Sequence, residues 1–219
     1  MHNELSFVSE RDVSDLVAYL SAAKKLDENG LVKLRVFGDI LAVYVAPIFS
    51  GSLLSDGPTI LGLRTLRLAD SAELDSAFEI SAILERLANL QGSQNLRLSL
   101  PPVTQRASWT GITPPRQDWE KIGELAQPQI TQWAKDGITE STETLPSSVG
   151  SSIAAKVRLG IWGRMVSMEF HLPAGAAFAM AGLGFMTKDE QIAVFRAKGW
   201  VRLSSQYGHV ICKQSFKVV

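Results

Sequence analysis

Near its start the chain switches from a helical to an alternating hydrophobic pattern. Val13, Leu16, Val17, Leu20 and Leu26 recur at the spacing of one face of an amphipathic helix. Ser9 followed by Asp12 supplies an N-cap and an acidic first turn, and Asn29-Gly30 supplies a stop, so a helix is expected over residues 10–28. Val32, Leu34 and Val36 then alternate with Lys33, Arg35 and Phe37, the signature of a strand with one wet face. After the turn signal Gly38-Asp39, residues 40–49 are almost wholly apolar. They read as a central strand covered on both faces. A loop over residues 50–58 leads to a third strand over 59–68, whose apolar phase changes between Leu63 and Leu66. Short connections favour antiparallel pairing of these strands.

Asp70 with Glu73 predicts a helix reaching about Gln91, with Leu74, Phe78, Leu84 and Leu87 on its inner face and Gly92 as its stop. Leu96, Leu98 and Leu100 alternate as a further strand. Pro101-Pro102 breaks the pattern. Pro114-Pro115 is expected to open a helix carrying Trp119, Ile122 and Leu125 on one side. Pro128 restarts a short helix containing Ile130 and Trp133, which Gly137 ends. Residues 141–152, rich in Ser and Thr, are the linker candidate. Residues 154–162 fit both a helix and a strand, and Val166, Met168 and Phe170 alternate as a strand. Pro173 suits the first turn of a compact helix reaching about Gly184. Residues 192–197, 200–205 and 209–214 close the chain, the last two as a hairpin around Gln206-Tyr207-Gly208. No internal repeat is evident. The pattern predicts an α+β protein with a largely antiparallel sheet, flanking helices, a helical middle segment and a C-terminal hairpin. The organisation expected is a single domain over 1–219, or two lobes, 1–103 and 147–219, joined by a helical segment 104–146.

Composition narrows this picture without adding chemistry. Hydrophobic residues make up 46% and charged residues 20% of 219 positions, which is globular rather than disordered. Cys212 is the single cysteine, so no intrachain disulfide forms, as suits a reducing, cytoplasmic setting. The first residues carry no basic segment followed by an apolar run of the secretory kind. The longest nearly apolar run, 172–186, is shorter than the ~20 residues of a spanning helix, so no membrane association is expected. Its Gly and Ala content suits a closely packed buried helix. Net charge is zero but uneven: residues 1–150 hold 13 basic and 19 acidic side chains, and residues 151–219 hold 9 and 3. A basic final third can meet an anion, or simply mix with the acidic body at the surface.

The candidate chemistry is sparse. Between Trp109 and Glu120 lie two Trp, two Pro and Arg116. Proline fixes backbone, and Trp and Arg dominate binding hot spots. Arg116 at a helix start could hold a carboxylate or phosphate beside Trp119. The competing expectation is that Trp109 and Trp119 cover core. His2, His171 and His209 show no metal-ligand spacing, so no metal and no cofactor is expected. His171 precedes a Gly/Ala-rich helix start and could help hold an anion, and His209 could act as a general acid or base. For both, a structural histidine is the alternative. Ser21-Ala22-Ala23-Lys24 repeats the Ser-x-x-Lys pattern of penicillin-interacting enzymes without its companion motifs, and Gly182 with Gly184 does not form a dinucleotide fingerprint. Glu140/Glu143 and Asp189/Glu190 lie in polar, solvated segments. Arg196, Lys198, Arg202 and Lys213 flank Trp200 and Tyr207, a weak nucleic-acid signature.

Pro114-Pro115-Arg116, Trp119-Glu120 and Ile122-Gly123-Glu124-Leu125 resemble a segment of an uncharacterised actinobacterial protein family. So do residues 172–179 and the stretch from Trp200 to Val210. The resemblance covers about the second half of the chain and implies a bacterial setting and no catalytic residue. Three functions follow from the sequence. The first is a non-enzymatic assembly or protein-interaction module, working as a homo-oligomer or with a protein partner. The second is an enzyme or small-anion-binding protein whose site gathers Arg116, His171 and His209. The third is nucleic-acid binding through the basic C-terminal hairpin, the least favoured partner class.

Overall fold

The computed structural model describes residues 4–49, 57–90, 92–144 and 151–213, with the side chains of 151–153 left aside. Contacts divide the chain into two compact units. One is Met1–Ala46 with Leu63–Thr110, and the other is Pro47–Gly62 with Gly111–Val219.

The chain begins β1 (Glu4–Ser6), α1 (Glu10–Leu26), β2 (Leu31–Phe37), β3 (Ile40–Ile48), β4 (Thr59–Arg67), β5 (Leu74–Glu79), α2 (Ile80–Ala88) and β6 (Arg97–Ser99), all in the first unit apart from the end of β3 and the start of β4. Ser9 caps α1: its hydroxyl accepts the Asp12 amide at 3.3 Å and donates to the Asp12 carboxylate at 2.7 Å. The stripe Val13, Leu16, Tyr19, Leu20 and Ala23 is buried, and the Tyr19 hydroxyl donates to the Val43 carbonyl of β3. The sheet order is β5-β2-β3-β4, so β3 is flanked on both sides. Leu41, Ala42, Val43, Val45 and Ile48 of β3 are buried, as its apolar run requires. β2 pairs antiparallel with both β3 and β5, and β1 pairs with β6.

The helix expected from Asp70 begins ten residues late. Residues 74–79 form β5, in register with β2 from Val36↔Leu74 to Leu31↔Glu79, and only Ile80–Ala88 are helical. Leu74 and Phe78 lie four apart, which suits a helix face and equally the even positions of a strand. The open edge of β2 decides between them, because pairing satisfies backbone groups that a helix here would leave exposed on β2.

The second unit continues with β7 (Glu120–Ala126), α3 (Gln127–Thr144), α4 (Ser151–Gly163), β8 (Met165–Ser167), β9 (Leu172–Pro173), α5 (Ala174–Gly182), β10 (Gln191–Ala197), β11 (Trp200–Ser204) and β12 (His209–Lys213). Strands run β12-β11-β10-β7, and their described pairings are antiparallel. Val201, Leu203, Val210, Cys212, Ile192 and Val194 turn one face of this sheet inward. Helix α5 is buried along Ala174, Gly175, Ala176, Ala177, Ala179 and Met180 and packs on α3, α4 and β12. Among the described residues no helix is long and apolar enough to cross a membrane.

Here too the sequence pattern needs correction. Pro114-Pro115 opens no helix; residues 120–126 form strand β7 beside β10. Helix α3 runs through Gly137 instead of stopping there. Residues 154–162 are helical, and the alternation Val166–Met168–Phe170 breaks at a turn over 168–171. Residues 145–150 of the linker candidate lie outside the described residues. The architecture is α+β with a large antiparallel sheet, as the hydrophobic pattern predicts.

The two units share a layout that the sequence hides. Each has a three-strand meander, β2-β3-β4 or β10-β11-β12, whose first strand gains an outer neighbour, β5 or β7. That neighbour runs straight into a helix in both units, Glu79 into Ile80 and Ala126 into Gln127.

Candidate functional site

The side chains with chemistry to offer gather on the outward face of the second unit's sheet. Along β11, Val201 and Leu203 point into the core, so Arg202 and Ser204 point away from it. Register sets Arg202 between Phe195 of β10 and Ile211 of β12, and Ser204 opposite His209. The Arg202 guanidinium carbon lies 4.5 Å from the centroid of the Phe195 ring and 4.5 Å from that of Trp119. Trp119 reaches it from the bend before β7. Its indole nitrogen donates to the Pro115 carbonyl at 2.9 Å, and Asp118 before it takes a left-handed φ of 63°. Proline and this turn therefore fix the ring that covers Arg202.

The local electrostatics follow from burial. Desolvation lowers the Arg202 pKa below its usual value, without threatening its charge. His209 is held at about 4, first by burial and then by the Arg202 charge, and its Nδ1 lies 3.0 Å from the Ser204 hydroxyl. The imidazole is therefore neutral at physiological pH and poorly suited to general acid–base work. A nuclear magnetic resonance titration should find it uncharged down to about pH 4. The unfolded chain, with a histidine pKa near ~6.5, binds more protons than the folded one between these values. This contribution to stability is thus complete above about pH 6.5 and falls as acid passes through the window. His209→Asn should flatten that slope, and a folded-state pKa near ~6.5 would remove the basis for it.

The residues singled out by sequence are partly reunited. Trp119 is half-buried in the stack, and Arg116 is exposed in the bend three residues before it. His209 belongs to the same sheet face. His171 is exposed at the end of a turn with φ 53°, and no hydrogen bond joins it to His209. Trp109 is 7% exposed within a 3-10 turn, Ser108–Gly111, of the first unit, so its ring covers core. In the sequence Arg202 is only one of several basic residues near the C-terminus. The alternation Val201-Arg202-Leu203 already marked it as outward, but nothing local announced that Trp119 would meet it.

The first unit offers a groove of about 990 Å³ lined by Arg35, Phe37, Gly38, Ser71, Glu73 and Asp75. Its cation, Arg35, is committed, as is the neighbouring Lys33. Lys33 and Arg35 both bind Asp75, at 3.0 and 3.2 Å, and Lys33 also donates to the Thr110 carbonyl at 2.6 Å. Among the described residues no group of three or more His, Cys, Asp or Glu side chains is placed to hold a metal ion.

Residues 1–111 match the domain of unknown function DUF8010. The chain belongs to that family. Residues 114–217 match a second domain of unknown function, DUF8185, so the two matches meet where contacts divide the structure, at Thr110/Gly111. No curated protein matches the sequence. Among solved structures, the chain is similar to the DNA polymerase sliding clamp of Caulobacter crescentus, with TM-score 0.51 and 9% identity over 94% of this chain and 65% of the clamp. It is similar to the DNA polymerase III subunit beta of Pseudomonas aeruginosa, with TM-score 0.50 and 11% identity over 100% of this chain and 66% of that one. At such identity the likeness is one of fold: this DUF8010 protein has a sliding-clamp-like architecture and spans just under two thirds of those clamps' length.

Proposed function

We propose that the protein is a non-enzymatic assembly module that acts by binding protein, a second copy of itself included. The observation that carries this reading is the half-exposed stack of Trp119, Arg202 and Phe195 on an outward sheet face. Trp and Arg on a rigid platform are the composition of interface hot spots. The fold supports it by analogy, since the proteins that share it are by name a DNA polymerase sliding clamp and a DNA polymerase III beta subunit.

The other two readings draw less support. For an enzyme, Arg116, His171 and His209 would need to converge, and His209 is kept neutral by its surroundings. For nucleic acid, the charge asymmetry shrinks once the chain is divided as it folds. The first unit holds 12 acidic and 10 basic residues and the second 10 and 12, so neither offers a strong positive field. The helices α1 and α2 each carry equal numbers of both signs.

Light scattering at micromolar concentration is expected to return a multiple of the 23.9 kDa chain. A thermal-shift screen of metabolites is expected to find no stabilising small molecule. Arg116→Ala should weaken self-association by about 1–3 kcal/mol without unfolding the chain. A monomer stabilised by a metabolite would replace this reading with the enzymatic one.

A further inference from the structure

We propose that Arg202 is the receptor for a carboxylate carried by an acidic segment of a protein partner. The inference rests on the protein-binding reading above and specifies what that surface recognises.

The geometry leaves a cation without an anion. Among the described residues, no hydrogen bond or ion pair engages the Arg202 guanidinium, and its Nε is buried without a partner. Arg196 Nε is likewise buried without a partner, but its Nη2 donates to the Glu169 carbonyl at 3.3 Å, while Arg64 meets Asp15 at 2.8 Å and Arg35 meets Asp75 at 3.2 Å. The one acidic residue of β7 on the same outward face, Glu124, is held by Lys121 at 2.6 Å. Phe195 and Trp119 shield Arg202 from water and hold it still. The ordering and desolvation that usually weaken a surface ion pair have thus already been met in the free protein.

The shape of the group selects the ligand. A guanidinium presents parallel N–H donors that match the two oxygens of a carboxylate, giving charge-assisted bonds about twice as strong as neutral ones. Aromatic faces beside it suit the apolar stem of a Glu or Asp side chain. A nucleic-acid backbone instead needs a row of cations. Here Lys121 is engaged by Glu124 and His209 is neutral, which leaves Arg202 and the exposed Lys213 at the end of β12.

The probe is a fluorescently labelled, end-blocked hexaglutamate peptide, titrated by anisotropy at low salt against the full chain. Saturable one-to-one binding is expected. Arg202→Gln should weaken it roughly tenfold, and Arg202→Lys, which keeps the charge and loses the planar fork, by an intermediate factor. Arg158→Gln on α4 makes the same change in net charge and should weaken it less than about twofold. Unmutated protein supplies an independent readout. A carboxylate on Arg202 cancels the charge that, after burial, helps depress His209, so saturating peptide is expected to raise the His209 pKa. Absence of saturable binding, equal weakening by Arg202→Gln and Arg158→Gln, or an unmoved His209 titration would each overturn the proposal. So would a DNA duplex that displaces the peptide and depends equally on Arg202. A chain that self-associates yet ignores the peptide would sink this inference alone, and a monomer stabilised by a metabolite would sink the assembly reading and this inference with it.

Discussion

Phe185→Ala is expected to lower the unfolding free energy by about 3–5 kcal/mol, the largest single loss among the substitutions considered. Phe185 is 1% exposed. It follows α5 in a tight C-terminal motif: Gly184 takes a φ of 70°, its amide donates to Ala181, and the Phe185 amide donates to Met180 at 3.0 Å. The ring lies directly against Gly208, the residue before β12, where an added Cβ would come within 2.5–2.8 Å of it. One side chain thus ties the end of the buried helix to the hairpin of the same unit. Truncation removes the apolar burial and leaves a cavity, because a glycine has nothing to move into the gap. Urea unfolding followed by circular dichroism would measure it. A change below about 1 kcal/mol would mean that the site collapses around alanine and that the ring is not the tie described.

The sequence pattern was most reliable where one period ran unbroken. The stripe of α1, the alternation of β2, the apolar run of β3 and the closing strands β10, β11 and β12 all stand where hydrophobic spacing puts them. Two of the misread segments, 74–79 and 120–126, read as helices because their apolar spacing mimics one. In 74–79 the spacing of Leu74 and Phe78 satisfied both periods, and a partner 40 residues away decided. In 120–126 a bulge hides the strand. Lys121 faces Phe195 and Gly123 faces Val194, so Ile122 is an extra residue that breaks the period of two. Trp119, Ile122 and Leu125 then mimic a helix.

The candidate site was legible in its parts and not in its assembly. Pro114, Pro115 and Trp119 stood out by composition, and Trp119 is indeed in the stack, seated by a bond to Pro115. Its partner Arg202 lies 83 residues further on, and only antiparallel pairing of β10 with β7 and β11 brings them together. No local pattern encodes such a contact. The same holds for His209, whose neutrality comes from burial and from Arg202.

Gly137→Val is expected to destabilise the protein by about 3 kcal/mol, although glycine inside a helix is ordinarily a weakness. Gly137 read as a stop signal, yet α3 continues to Thr144. The reason for glycine is space. A Cβ here would collide with Trp162 of α4, whose ring atoms Cζ3 and Cη2 lie against it. Trp162 is 6% exposed and stacked on Phe178 of α5, with centroids 4.4 Å apart, so the ring has little room to retreat. Three helices therefore meet at one point because one of them lacks a side chain. Even Gly137→Ala, which gains up to about 1 kcal/mol of helix propensity, should come out destabilising, since overpacking costs about 1–3 kcal/mol. The decisive comparison is with Gly160→Ala on α4, where an added Cβ meets nothing within 4 Å. That change should stabilise by about 0.5–1 kcal/mol through propensity alone. If both alanine variants shift the melting temperature in the same direction, the packing of Trp162 against α3 is not what keeps residue 137 a glycine.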